Sequence, residues 1–167
     1  MIVIHITSTA KQGGGPSHIL SLLQLLGNKD FEQYAIFPYH QMLSNTLSLH
    51  AKKSYEYPKS LKDVFNLISE IRYLSITNDQ VLVHSHGPAA ALLAKTLKLF
   101  IDIKHFYTPH GVQFVNYNFI KKKLYKLYEG VSIRLIDKVV YISPSEQKIF
   151  TSNIKSAKLI ASDLIEN

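Results

Sequence analysis

Short β-branched runs alternate with longer segments of helical spacing along most of the chain, and this alternation limits the fold more than any other feature. "IVIHI" (2–6), "QYAIFPY" (33–39), "SYEYP" (54–58), "QVLVH" (80–84), "IKHFY" (103–107) and "KVVYI" (138–142) read as strands, with "AKLIAS" (157–162) as a last strand or exit segment. Helices are predicted over 16–27, closed by Gly27 and Asn28, and over 60–74, 88–99, 119–136 and 144–152. In the second of these Ser60 is a capping candidate, and Leu61, Val64, Phe65, Ile68, Ile71 and Leu74 share one face. Strands that alternate with helices predict a parallel sheet covered on both sides. The near-continuous apolar strands fit burial on both faces. The expected fold class is therefore α/β: one Rossmann-like domain over residues 1–167, a doubly wound, mostly parallel sheet in three layers. Residues 40–53 are the least regular stretch and read as a mobile loop.

In open sheets of this kind ligands bind beyond the carboxyl ends of the strands. Three segments reach that place. Gly13, Gly14 and Gly15 follow the first strand, His84 and His86 end the fourth, and His110 follows the fifth. The glycines precede a helix, so backbone N–H groups there can approach an anion, and the helix N-terminus adds positive potential. Their spacing is not G-x-G-x-x-G, and no G-K-[ST] follows. The competing reading is a plain flexible turn.

His84 and His86 point to the same side of a continuing strand, and with His110 they offer three imidazoles. No carboxylate pattern accompanies them, and the chain has no cysteine, so thiolate metal sites and disulfides are excluded. No metal is expected at these three residues, and no cofactor. His84 reads as a satisfied strand histidine. His86 and His110 are each followed by a glycine, Gly87 and Gly111, at a strand end and read as ligand contacts: an imidazole there can donate a hydrogen bond to a sugar hydroxyl or a phosphate. No G-x-S-x-G is present, which argues against nucleophilic hydrolysis.

The formal charge is +7, and residues 117–138 hold six Lys/Arg against two Asp/Glu. Ile120, Leu124, Leu127, Val131 and Leu135 are predicted to form the core stripe of this helix. Lys121, Lys122, Lys123 and Lys126 lie off it, as a solvated face or as a contact for anionic lipid headgroups. No run reaches the roughly 18 apolar residues of a spanning helix. The chain opens in a strand with no basic leader, so a cytoplasmic location is expected, peripheral at the inner face of the membrane if the lysines dock there.

Four motifs in order resemble the N-terminal domain of family 4-type, retaining glycosyltransferases of GT-B architecture. "IVIHITSTAKQGGGPSHILSLLQLL" resembles their first strand, Gly-rich loop and first helix. "DQVLVHSHGPAAALLAKTL" resembles their D-V-V-H-x-H strand and small-residue helix. "YTPHGVQF" resembles their T-x-H-G strand end, and "YEGVSIRLIDKVVYISPSEQKIF" their Glu, Asp-x-V-I and Ser-x-x-E run. The resemblance implies that Gly13, Gly14 and Gly15 lie against the diphosphate of a nucleotide-sugar donor and that His110, more weakly His86, contacts the transferred sugar. It implies a saccharide or lipid-linked acceptor, a setting in cell-surface polysaccharide assembly, and no nucleic acid. In that family a C-terminal domain holds the donor. Here the sequence stops near the crossover to it, so the expectation is a chain inactive alone, or a non-catalytic binding subunit of a split enzyme.

Overall fold

The computed structural model describes residues 1–27, 31–111, 114 and 117–165. Seven strands form one sheet in which every neighbouring pair is parallel: β1 (Ile2–Thr7), β2 (Glu32–Phe37), β3 (Lys53–Glu56), β4 (Val81–His86), β5 (Lys104–Thr108), β6 (Lys138–Tyr141) and β7 (Ala161–Leu164). Their order is β3-β2-β1-β4-β5-β6-β7. The chain runs outward from β1 in one direction and then, after crossing to β4, in the other. The reversal between β1 and β4 is the place where such sheets open a crevice.

Six helices cover the two faces: α1 (Gly14–Leu26), α2 (Ser44–His50), α3 (Leu61–Thr77), α4 (Pro88–Phe100), α5 (Phe119–Ser132) and α6 (Pro144–Asn153). The period-2 alternation of β1 explains the layering. Ile2, Ile4 and Ile6 pack with Leu67, Ile68 and Ile71 of α3 and with Leu93, Ala94 and Leu97 of α4. Beyond the other face, Ile19 and Leu23 of α1 join Leu47 of α2 against Ala35 and Phe37 of β2. A third cluster packs Phe150 of α6 on Tyr107, Val139 and Tyr141. This is the expected three-layer, doubly wound architecture. Among the described residues no helix is long and apolar enough to cross a membrane.

Several local expectations are corrected. Residues 40–53 hold helix α2 and the start of β3; fully buried Leu47 docks the short helix, and seven residues are too few for periodicity to reveal it. The last strand lies at Ala161–Leu164, because Lys155–Leu159 form a 3₁₀ turn. The α3 stripe is narrower than predicted, since Leu61 and Phe65 stay exposed. Asn28 lies outside the described residues.

The largest correction concerns α5. Ile120, Leu124, Leu127 and Val131 point to solvent, 61–69% exposed, and are not core. The buried side is built from Tyr125, stacked on Phe114, and from Glu129. Glu129 accepts a 2.8 Å hydrogen bond from Lys95 Nζ of α4, which also reaches the Ser132 hydroxyl at 2.9 Å. Charge pairing, unavailable to a search for apolar spacing, turns the helix over.

Candidate active site

A cavity of about 330 Å³ opens at the carboxyl ends of β1 and β4. Its walls come from the loop after β1, the first residues of α1 and α4, and the turn after β5. The loop is anchored by Gln41, whose Oε1 accepts from the Ala10 N–H at 2.6 Å and the Thr9 hydroxyl at 3.3 Å.

Two helices begin here, and neither carries a side-chain cap. α1 follows Gly13 and α4 follows Gly87, with no acidic residue in either first turn. By contrast α3, α5 and α6 are capped by Ser60, Asn118 and Ser143. The N–H groups of both uncapped ends, and the positive ends of both helix dipoles, are therefore left for whatever occupies the cavity.

The sheet face under α1 carries a ladder of imidazoles. His5, His84 and His86 follow one another on β1 and β4, His84 and His86 with ring centroids 4.2 Å apart. His110, from the turn after β5, stacks on His86 at 5.2 Å, and His18 of α1 meets both edge-on. Burial disfavours the charged form of each. It pulls His5 and His110 down to about 4, lowers His84 and His86 well below the usual imidazole value, and lowers His18. Neighbouring imidazoles push His84 and His86 in the same direction. At neutral pH the ladder is uncharged.

Each neutral ring can donate at one nitrogen and accept at the other. His5 Nε2 meets Gln33 Oε1 at 3.2 Å, and His84 Nε2 meets Thr108 Oγ1 at 2.8 Å. His86 Nδ1 meets His110 Nε2 at 2.9 Å. That bond leaves His86 Nε2 and His110 Nδ1 buried without partners among the described residues, and His18 Nδ1 is in the same state. Whichever ring donates in the shared bond, the pair presents one free donor and one free acceptor.

His110 sits in the left-handed region at φ 52°, followed by Gly111 at φ 98°. For a residue with a side chain this conformation is held by its surroundings. Buried Glu146 supplies the hold: its carboxylate accepts from the Gly111 N–H and, at 3.0 Å, from the Ile142 N–H. The Gly87 N–H bonds Thr108 O at 2.8 Å and joins the two strand ends.

Gly13, Gly14, Gly15, His86, Gly87 and His110 all line the cavity; Gly111 does not, and serves the turn behind it. His84 belongs to the ladder but does not line the cavity. Lys121, Lys122, Lys123 and Lys126 lie on α5, outside the cavity wall. The triad His84, His86 and His110 does not form one ligand set. The sets with ring nitrogens within 4.8 Å of one another are His5, His84 and His86, and His18, His86 and His110. The sequence reading missed His18 and Glu146. The first had no signal beyond its place after the glycines; the second ends a Ser-x-x-Glu capping pattern at Ser143–Glu146.

No protein-family model and no curated protein matches the sequence. Solved structures do share the fold. A glycosyltransferase from Rickettsia africae superposes with a TM-score of 0.69 at 18% identity, over 99% of this chain and 42% of its own. HepE of Anabaena, solved with UDP and glucose, gives 0.69 at 15% identity, over 100% of this chain and 44% of HepE. Sucrose-phosphate synthase of Thermosynechococcus elongatus gives 0.67 at 12%, over 99% and 47%. The fold is that of one domain of a GT-B glycosyltransferase. The chain spans less than half the length of each of these proteins.

Proposed function

We propose that this GT-B domain is the acceptor-side half of a retaining, family 4-type glycosyltransferase, and that the cavity at the strand ends is where the sugar is transferred. The donor is a nucleotide-sugar, the acceptor a saccharide or lipid-linked saccharide, and the setting cell-surface polysaccharide assembly. One observation carries the reading: two uncapped helix N-termini and an uncharged histidine pair converge on one cavity. The UDP and glucose bound in HepE support a donor of this class. The reaction breaks the bond between the sugar's anomeric carbon and the diphosphate, which departs with the electron pair. The acceptor oxygen bonds that carbon and loses its proton. The diphosphate lies along Gly13–Gly15, where N–H groups and the α1 dipole stabilise its growing charge. His110 hydrogen-bonds the transferred sugar, with His86 orienting the ring. A second domain holds the nucleotide, so turnover requires both halves.

The glycines give the test. A Cβ on Gly13 would meet nothing within 4 Å, and one on Gly15 would touch His110 Cδ2 at 3.7 Å and His86 Cβ at 3.9 Å, ordinary contacts. The protein's own packing therefore does not require these glycines, which supports a role in leaving space for a ligand. Gly15→Ala should raise the chain's stability by about 0.5–1 kcal/mol, as alanine does in a helix. In the protein with both halves it should reduce transfer at least about tenfold, a loss of about 1.4 kcal/mol of transition-state binding. Unchanged transfer in this variant would remove the loop from the donor site.

The outward stripe on α5 supports a peripheral role at an anionic membrane. Ile120, Leu124, Leu127 and Val131 enter the headgroup boundary, and the helix's lysines meet the lipid charge.

A further inference from the structure

We propose that His18, His86 and His110 form a binding site for one divalent transition-metal cation of the zinc type. The three side chains come from α1, from the end of β4 and from the turn after β5, and no two are close in sequence. Their ring nitrogens lie within 4.8 Å of one another. His18 Nδ1 is buried without a partner among the described residues. His86 Nδ1 and His110 Nε2 are 2.9 Å apart. Two nitrogens bound tetrahedrally to zinc at about 2.0–2.1 Å stand about 3.3 Å apart. A cation can thus take the place of the proton these two rings share, at the cost of one tautomer shift and a few tenths of an ångström.

The donor set selects the metal. Three imidazole nitrogens without a carboxylate suit Zn²⁺, Ni²⁺ or Cu²⁺ and disfavour Mg²⁺ and Ca²⁺. Three protein ligands leave a fourth position, which here faces the cavity beside Gly14 and Gly15, both within 4 Å of the His110 ring for an added Cβ. An oxyanion would complete the coordination there. The supporting shell is present, since Glu146 fixes the turn that carries His110. The second set, His5, His84 and His86, is less suited: all three residues are buried, and Gln33 and Thr108 occupy one nitrogen of His5 and of His84. The inference replaces the sequence expectation of no metal, which considered His84 where the structure brings His18. It stands on the three rings alone, so it can fail while the glycosyl-transfer reading holds, and the reverse.

The test is a titration of the 167-residue chain, stripped with a chelator, with Zn²⁺ and with Ni²⁺ in competition with a chromophoric chelator. One equivalent should bind with a dissociation constant below about 1 μM, about −8 kcal/mol. His18→Ala and His110→Gln should each weaken it about 100-fold or more. His5→Gln, and His50→Ala on the exposed surface, should leave it unchanged. Absence of a tight equivalent would overturn the site. So would parental affinity in His18→Ala, or an equal loss in His50→Ala, which would mark adventitious surface binding.

Discussion

Acid should unfold this protein earlier than an ordinary domain of its size, and the histidines set where. In the unfolded chain each imidazole takes up a proton near pH 6.5. In the folded chain burial holds His5 and His110 neutral down to about 4 and His105 down to about 3, and keeps His84 and His86 neutral well below the usual value. Between pH 6.5 and about 4 the unfolded state therefore binds more protons, and stability falls as pH falls. A histidine held neutral down to about 4 costs about 1.4 kcal/mol at pH 5.5 and about 2 kcal/mol at pH 5. His5, His105 and His110 together cost on the order of 4 and 6 kcal/mol, and burial of His84 and His86 acts in the same direction, against a total stability of about 5–15 kcal/mol. The unfolding midpoint should lie inside this window, between about pH 6 and 4. Urea denaturation followed by circular dichroism, with a chelator present, measures the slope of stability against pH. Near pH 5.5 it should correspond to about three protons or more, about 1.4 kcal/mol per pH unit each. His5→Gln should reduce that count by about one. Stability constant within about 1 kcal/mol from pH 7.5 to 5 would refute the reasoning, because it would require the ladder to be open to protons in the native state.

Two further outcomes follow from the packing. Lys95→Met should cost about 3–5 kcal/mol, since it leaves Glu129, whose side chain is 0% exposed, without its cation; Lys95→Met with Glu129→Leu should recover most of it, and a single-variant loss under about 1 kcal/mol would show the pair to be solvated. The chain should sediment with anionic phosphatidylglycerol vesicles and less so as salt rises; Lys121, Lys122, Lys123 and Lys126 all changed to Gln should abolish this, and if that variant binds as its parent does, α5 faces a protein or water.

Strands β1–β6 were legible because each carries its own signal, whereas β7, exposed at all four residues, was misplaced. β-branched runs such as "IVIHI" and "KVVYI" are buried on both faces, and the crossover helices between them repeat the pattern. The place of the site followed from that order, and Gly13–Gly15, His86 and His110 do meet in one cavity. Contacts between distant residues were not legible. His18 meets His110 across most of the domain's sequence, and Glu146 holds Gly111 from 35 residues away. The orientation of α5 failed for the same reason. Its apolar residues have helical spacing, but the side that packs is chosen by Glu129 finding Lys95, 34 residues upstream, in a site sealed from water. A hydrophobic pattern specifies a face only when no buried charge pair competes for it.

The central claim is that the strand-end cavity is where the sugar is transferred, and His110 tests it most directly. Its ring faces the cavity, its backbone is held left-handed at the turn, and its Nδ1 has no partner among the described residues. In the protein with both halves, kcat of His110→Ala with its nucleotide-sugar donor should fall about 100-fold or more, as for a lost transition-state hydrogen bond, with donor affinity little changed. The circular dichroism spectrum and urea midpoint of the 167-residue chain should stay near the parent's. Parental turnover in His110→Ala would contradict the account, and so would collapse of the fold, which would make the residue a structural histidine.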